Sequence, residues 1–293
     1  MALLAGAVIF ASCSRSNGSI TMGSKSQFDS LSYALGNNVG AGLNRMMSDI
    51  PFDFDAMTEG VTEGALGTAK MTHPEALDTL RTFFMVTRPE RAQAIAKKNA
   101  MTPDSLKTPE ESLADPAMFE SEEERAEISY AFGNDIGYNI SQSGMPIQLV
   151  WIGQAMQDVR DGKAKMTEDE VNQYLQYYFM VKRPAENAAA SKAWLEKTEK
   201  KSGVKKTESG LLYKVTKEGD AAKMAKDPRD VVRVHYTGYT REGKVFDTSI
   251  FKNRSKEQQE MMRKQSPDSF DEKGAPKEAD EPAKFPLNRV IKG

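Results

Sequence analysis

"LSYALGNNVG" (Leu31 to Gly40) and "ISYAFGNDIG" (Ile128 to Gly137) are one ten-residue phrase written twice, 97 residues apart. Outward from it, "FMVTRP" (Phe84 to Pro89) returns as "FMVKRP" (Phe179 to Pro184), and "AKMT" (Ala69 to Thr72) returns at Ala164 to Thr167, both 95 residues on. Three matches in one order at nearly one offset point to a tandem duplication. In the second copy Ile128, Phe132, Ile136 and Ile140 fall in steps of four, which keeps them on one face of a helix. Leu31, Leu35, Val39 and Leu43 repeat the stripe. Beside each stripe sits a glycine pair, Gly36 with Gly40 and Gly133 with Gly137. Each glycine costs roughly 1 kcal/mol of helix propensity relative to alanine, and close approach of another helix is the return.

A second helix is predicted from Leu149, Ile152, Met156 and Val159, ending near Gly162, because glycine takes the left-handed conformation past a helix end. The third begins at a capping box, Thr167 with Glu170 and likewise Thr72 with Glu75. Tyr174, Tyr177 and Tyr178 read as core or dimer interface rather than a ligand box, since rings at helical spacing bury against another helix. Pro184 is expected to kink or interrupt the chain before "AENAAASKAWLEKTEKK" (Ala185 to Lys201), a run of helix formers with Trp194 and Leu195 on its apolar edge. Between the copies, Thr102 to Ala126 is rich in Pro, Ser and Glu without periodicity and reads as an exposed linker.

The chain has 293 residues, 39% hydrophobic and 28% charged, values of ordinary globular protein with room for about two domains. A net charge of −2 gives no basic face for nucleic acid, and no nucleic-acid partner is expected. One cysteine, Cys13, and two histidines, His73 and His235, rule out an intramolecular disulfide and a Cys/His zinc site.

From Gly203 the pattern changes to short β-type runs with turn residues: "GLLYKVTKEGD", "VVRVHYTGYT", a turn at Arg241 to Gly243, then "KVFDTS". In "VVRVHY", Val232, Val234 and Tyr236 share one face and Arg233 and His235 the other, the signature of a half-buried antiparallel strand in which His235 is structural. From Ile250 to Lys284, 16 of 35 residues are charged, and the segment is expected to be a mobile, solvated loop.

"KKTESGLLYKVTKEGD", "VRVHYTGYTREGKVFDTS" and "FPLNRVIKG", taken in order, resemble the first half of an FKBP-type peptidyl-prolyl cis/trans isomerase domain. The duplicated helical unit resembles the N-terminal dimerisation domain of the periplasmic macrophage infectivity potentiator group of that family, which usually has one copy. The resemblance implies an α+β chain: two all-α units, then an incomplete antiparallel β-sheet domain. It implies rotation about an X-Pro amide over a barrier of about 18 to 20 kcal/mol, which needs neither nucleophile, metal nor cofactor. A dry apolar pocket that favours the twisted amide binds the transition state better than the ground state. By resemblance Tyr236, Phe246, Val290 and Ile291 line that pocket, Asp247 meets a pocket tyrosine in an orienting, electrostatic role, and Phe285 is a strand residue beside it. The insertion 250–284 stands at the pocket rim, where the family has a short connection. The chain stops at Gly293, inside a motif that the family continues with a tryptophan, so it is expected to be a fragment of a longer gene product.

"MALLAGAVIFASCSRSNGS" resembles a bacterial lipoprotein signal peptide, with Cys13 as the lipidated residue and without the usual basic residues before the apolar run. An ordinary signal peptide or a buried apolar N-terminus would give the same run. The resulting map is a signal peptide at 1–13, a tether at 14–30, helical unit one at 31–100, a linker at 101–123, helical unit two with a connecting helix at 124–201, and a truncated isomerase domain at 202–293. The expected protein is a lipid-anchored, homodimeric prolyl isomerase of the bacterial cell envelope, facing the periplasm or cell surface and acting on proline-containing unfolded or exported polypeptides. The alternative is a periplasmic holdase chaperone or dimeric binding lipoprotein with an inactive or incomplete isomerase domain.

Overall fold

Each copy of the repeated phrase forms a helix whose start is fixed by a cap. The computed structural model describes residues 20–101, 119–220 and 224–289. In the first copy, α1 (Ser30–Met46) is capped by the Asp29 carboxylate, which accepts from the Ser32 amide, and α2 (Phe54–Leu66) by Asp53. Then α3 (His73–Thr82) runs through a π-helical turn, Phe83–Thr87, into α4 (Arg88–Met101). The second copy repeats the order: α5 (Glu122–Ser143), α6 (Leu149–Arg160), α7 (Glu168–Tyr177), a π-helical turn at Tyr178–Lys182, and α8 (Arg183–Glu199). Both predicted capping boxes form: the Glu75 carboxylate accepts from the Thr72 amide at 2.7 Å and Glu170 from Thr167 at 2.8 Å. Gly162 takes φ +67° just past α6.

The copies exchange helices. α1 packs on α6 and α7 of the second copy, and α5 packs on α2 and α3 of the first. The glycines explain how close these helices come. A Cβ at Gly133 would lie 2.0 Å from the Met57 carbonyl oxygen, one at Gly137 2.2 Å from that of Val61, and one at Gly36 2.3 Å from that of Ile152. Both apolar stripes enter one shared core with Met57, Val61, Ile152 and Met156. The glycine-lined stripes that the sequence offers to a second chain are therefore covered by the other copy of the same chain.

The polar residues of the phrase bridge the copies reciprocally. Ser32 Oγ accepts from the Gln148 amide at 2.8 Å, and Ser129 Oγ from the Asp53 amide at 2.9 Å. The buried Tyr33 hydroxyl donates to Asp158 at 2.9 Å and accepts from the Lys165 amide at 2.8 Å. Its counterpart Tyr130 donates to Glu63 at 2.5 Å and accepts from the Lys70 amide at 2.7 Å. The side-chain amide of Asn37 donates to the Met166 carbonyl at 3.0 Å, and that of Asn134 to Met71 at 2.8 Å. Burial first, and the neighbouring carboxylate after it, pushes both phenols up to about 12.

Two expectations about the helical units are corrected. Pro184 does not interrupt the helical run: Pro89 and Pro184 each follow a π-helical turn in which the Arg88 and Arg183 amides reach back to the Phe83 and Tyr178 carbonyls. The wider turn takes up the carbonyl that a straight helix would drive into the proline ring. The linker is shorter than its composition suggests, because "SEEERAE" is the Ser121 cap and the acidic first turn of α5, where carboxylates complement the helix dipole; residues 102–118 lie outside those described. Of the tyrosine cluster, Tyr178 is buried and Tyr174 packs on the core, while Tyr177 is exposed.

The chain divides after Arg183, and the second unit holds three antiparallel strand pairs rather than one continuous half-sheet. β1 (Lys205–Lys206) pairs with β2 (Leu212–Tyr213), β3 (Val231–Val234) with β6 (Ala283–Pro286), and β4 (Thr237–Tyr239) with β5 (Val245–Thr248). Phe285 is a strand residue opposite Val232, and Trp194 and Leu195 are exposed on α8. The charged segment is not simply a loop. Ser255 and Gln258 form a capping box that starts α9 (Lys256–Gln265), built from strong helix formers. Phe251 packs on Phe270 at 5.2 Å between ring centres, with the Arg263 guanidinium over it. Among the described residues no helix is long and apolar enough to cross a membrane.

Gly133→Ala forces a methyl group into the Met57 carbonyl and should cost on the order of 1–3 kcal/mol, read as a lower thermal midpoint of the helical signal. The phenols titrate near 10 in an unfolded chain and about 12 here, so their stabilisation is complete below pH 10 and disappears as pH rises to 12. Unfolding midpoints should fall across that window, and Tyr33→Phe/Tyr130→Phe should flatten the fall while lowering stability at neutral pH.

Candidate functional site

The β4–β5 hairpin carries three of the residues that the sequence nominates. Its turn closes through the Gly243 amide on the Thr240 carbonyl at 2.9 Å, with Gly243 at φ +82°, a conformation that suits a residue without Cβ. At the open end a hydroxyl relay joins the strands. The Asn253 amide donates to Thr237 Oγ1 at 2.9 Å, the Thr237 and Thr248 hydroxyls lie 2.9 Å apart, and Thr248 donates to the Tyr236 carbonyl at 3.0 Å. Ser249 completes the lock: its amide donates to the Tyr236 carbonyl and its Oγ accepts from the Tyr236 amide at 3.0 Å. Asn253 of the insertion thus joins the residues that brace the hairpin.

This bracing places the Tyr236 hydroxyl on Asp247, to which it donates at 2.5 Å. The other carboxylate oxygen accepts from the Thr248 amide at 2.9 Å, so the carboxylate is held from both sides. The hydrogen bond to Asp247 raises the Tyr236 phenol above its ordinary range and keeps it a donor. Phe246 is positioned differently. Gly238 pairs with Asp247 and Tyr239 with Val245, which leaves Phe246 as the extra residue of a β-bulge. Its ring lies over Gly238, where a Cβ would come within 2.6 Å of the ring tip, and the side of the ring away from the strand is open: Phe246 is 65% exposed and Tyr236 37%.

The structure therefore brings Tyr236 and Asp247 together and sets Phe246 beside them on the bulge; Val290, Ile291 and the lipidation candidate Cys13 lie outside the described residues. His235 is exposed, 3.4 Å from Ser249 Oγ through Nδ1, and takes no part in the pair. A cavity of about 360 Å³ lies in the insertion, lined by Phe251, Met262, Phe270 and Asp280 among others, and contains none of the nominated residues. Gly238 is the residue that sequence reasoning missed. A glycine inside a strand pattern signals a bulge or a close approach, and both occur here. Among the described residues no cluster of His, Cys, Asp and Glu could hold a metal ion.

Chemically, the arrangement offers an oriented carboxylate and an open aromatic face with no activated nucleophile. The family model that describes the domain amino terminal to FKBP-type peptidyl-prolyl isomerase matches residues 28–106 and 125–215. A probable FKBP-type peptidyl-prolyl cis-trans isomerase FkpA of Neisseria meningitidis is 39% identical over 137 residues, 42% of this chain and 50% of the relative. The FKBP-type 22 kDa peptidyl-prolyl cis-trans isomerase of Escherichia coli is 32% identical over 179 residues, 57% of this chain and 71% of the relative. The outer membrane protein MIP of Legionella longbeachae is 33% identical over 137 residues, 43% of this chain and 58% of the relative. The chain thus spans between half and about seven tenths of these proteins' lengths. No solved structure matches it significantly.

Gly238→Ala should push the Phe246 ring off its seat while changing stability by less than about 0.5 kcal/mol, because the ring is exposed and free to turn. Changed NMR shifts of the Phe246 ring with an unchanged unfolding midpoint would bear this out; a rigid, unshifted ring would contradict it.

Proposed function

This chain belongs to the FKBP-type peptidyl-prolyl isomerase family through the domain amino terminal to the isomerase, and on that premise we propose that it accelerates cis/trans isomerisation of X-Pro bonds in exported polypeptides. The observation that carries the reading is the hydrogen-bonded pair of Tyr236 and Asp247 beside the open Phe246 ring.

Rotation about the amide withdraws the nitrogen lone pair from the carbonyl, so the twisted state is less polar and favours an apolar surround. Phe246 offers an apolar face to the proline ring, and Val290 and Ile291 would extend it. Asp247 acts by its field and position near the substrate carbonyl. Tyr236 holds the carboxylate through its protonated hydroxyl, and no proton is transferred. The slow X-Pro steps that such a site relieves take tens of seconds or more uncatalysed.

The sequence around Cys13 supports a lipid anchor, which would place the protein in the bacterial cell envelope. Cys13→Ala should abolish the lipid mass and detergent partitioning when the gene is expressed in a bacterial envelope; retention of both would exclude the anchor.

A second reading, a holdase for unfolded chains, is favoured by the exposed apolar residues at the two π-helical turns: Met85, Val86, Met180 and Val181. Methionine adapts its shape to varied apolar segments. The readings separate in a refolding assay limited by proline isomerisation. Asp247→Ala and Phe246→Ala should each lower kcat/KM at least tenfold, about 1.4 kcal/mol of transition-state stabilisation, and leave aggregation suppression unchanged. Absence of any acceleration by the unaltered chain would overturn the isomerase reading.

A further inference from the structure

We infer that the two helical copies of one chain close on each other and leave the chain monomeric, because they are matched to each other and mismatched to themselves. The pairing does not rest on the reading above.

The reciprocal bonds mean that neither copy closes alone. Without the second copy, α1 would expose the glycine backbone at Gly36 and Gly40 and leave Ser32, Tyr33 and Asn37 without their acceptors and donors on residues 148–166. Buried polar groups left unpaired cost about 1–3 kcal/mol each. A single copy must therefore find another copy, and this chain already contains it. For a short connection, joining two binding units raises the effective concentration of each for the other to on the order of millimolar.

The mismatch comes from residues that differ between the copies. His73, at the start of α3, donates to or accepts from Asp135 of α5 at 2.8 Å and stacks on Tyr138 at 3.8 Å. By the repeat offsets, the counterpart of His73 is Glu168, and the counterparts of Asp135 and Tyr138 are Asn38 and Ala41. Glu168 instead faces Arg45 of α1, at 4.0 Å. Two second copies paired together would set Glu168 against Asp135, two carboxylates at one contact. Two first copies would set His73 against Asn38, Ala41 and Arg45, losing the stack and the ion pair. The aromatic contacts are equally one-sided. Trp151 packs edge-on against Phe28 at 5.1 Å, and by the repeat offsets their counterparts are Ala56 and Arg125, so two second copies would set Trp151 against Arg125 and two first copies would set Phe28 against Ala56. Unlike copies are favoured, and one chain supplies both.

Sedimentation equilibrium on the full chain should give the mass of one chain at all concentrations, and its thermal midpoint should not move with concentration. A two-chain mass, or a midpoint that rises with concentration, would overturn the inference, including the case in which unlike copies pair across two chains. His73→Glu should lower the midpoint, and adding Asp135→Asn should restore part of the loss. An unchanged midpoint in His73→Glu would refute the matching of the copies. Both readouts are independent of isomerase activity, so a silent isomerase assay with a one-chain mass would defeat the functional reading and leave the pairing intact.

Discussion

Contact between helix backbones at glycine is the constraint from which the helical module follows. With the α5 backbone at Gly133 set directly on the Met57 carbonyl, α5 and α2 are closer than any side chain at that position would allow. That approach sets the depth at which Tyr130 and Asn134 enter the first copy, and the same holds for Tyr33 and Asn37 entering the second. An apolar stripe tolerates sliding and rotation, whereas a buried hydroxyl or amide does not, since each misplaced polar group is left without a partner. The glycines thus set the distance and the polar residues set the register. Stability comes from the shared core, and uniqueness from the eight-residue set of serines, tyrosines, asparagines and carboxylates around it.

Much of this was legible in the chain before folding. Steps of four gave the stripes, and the threonine and glutamate three apart gave the starts of α3 and α7, because those signals are local and the structure obeys them locally. The exchange of helices was not legible. A repeat offset says that two segments fold alike and says nothing of whether each packs on its own copy or the other, since both give the same periodicity. Composition misleads at "SEEERAE" and at "KEQQEMMRKQ", where an acidic first turn and a capping box make helices out of segments that look like solvated connections. Proline signals a kink or an interruption because a straight helix cannot take it, while the π-helical turn before Pro89 and Pro184 can.

In the second unit Tyr236 and Asp247 are nominated by resemblance alone, and the hairpin then sets the hydroxyl of one on the carboxylate of the other. Phe246 could be named but not aimed. Strict alternation sets it on the face opposite Asp247, and the bulge re-aims it over Gly238 by making it the residue that opposes nothing. The bracing by Thr237, Thr248, Ser249 and Asn253 was invisible for another reason. Small hydroxyl residues are common in turns, and only the assembled relay distinguishes these from solvent-facing ones.

The two levels meet in what the copies kept in common. Within the phrase, the shared residues are the serine, tyrosine, alanine, glycines and asparagine; the alanine is buried, and the others touch the other copy's backbone or bond to it. Where the copies differ, at His73 against Glu168 or Ala56 against Trp151, the contact is one-sided. A duplicated unit whose halves met through a single symmetric surface would have to change both sides of every contact at once. Once both halves lie in one chain, each contact occurs twice with different residues, and each can be optimised separately. The identical positions are then those where geometry leaves no alternative: a glycine where backbones touch, and a tyrosine or asparagine whose hydrogen-bonding groups must reach a fixed main-chain atom. Internal repetition in this sequence therefore marks the interface between the copies rather than the helices as such.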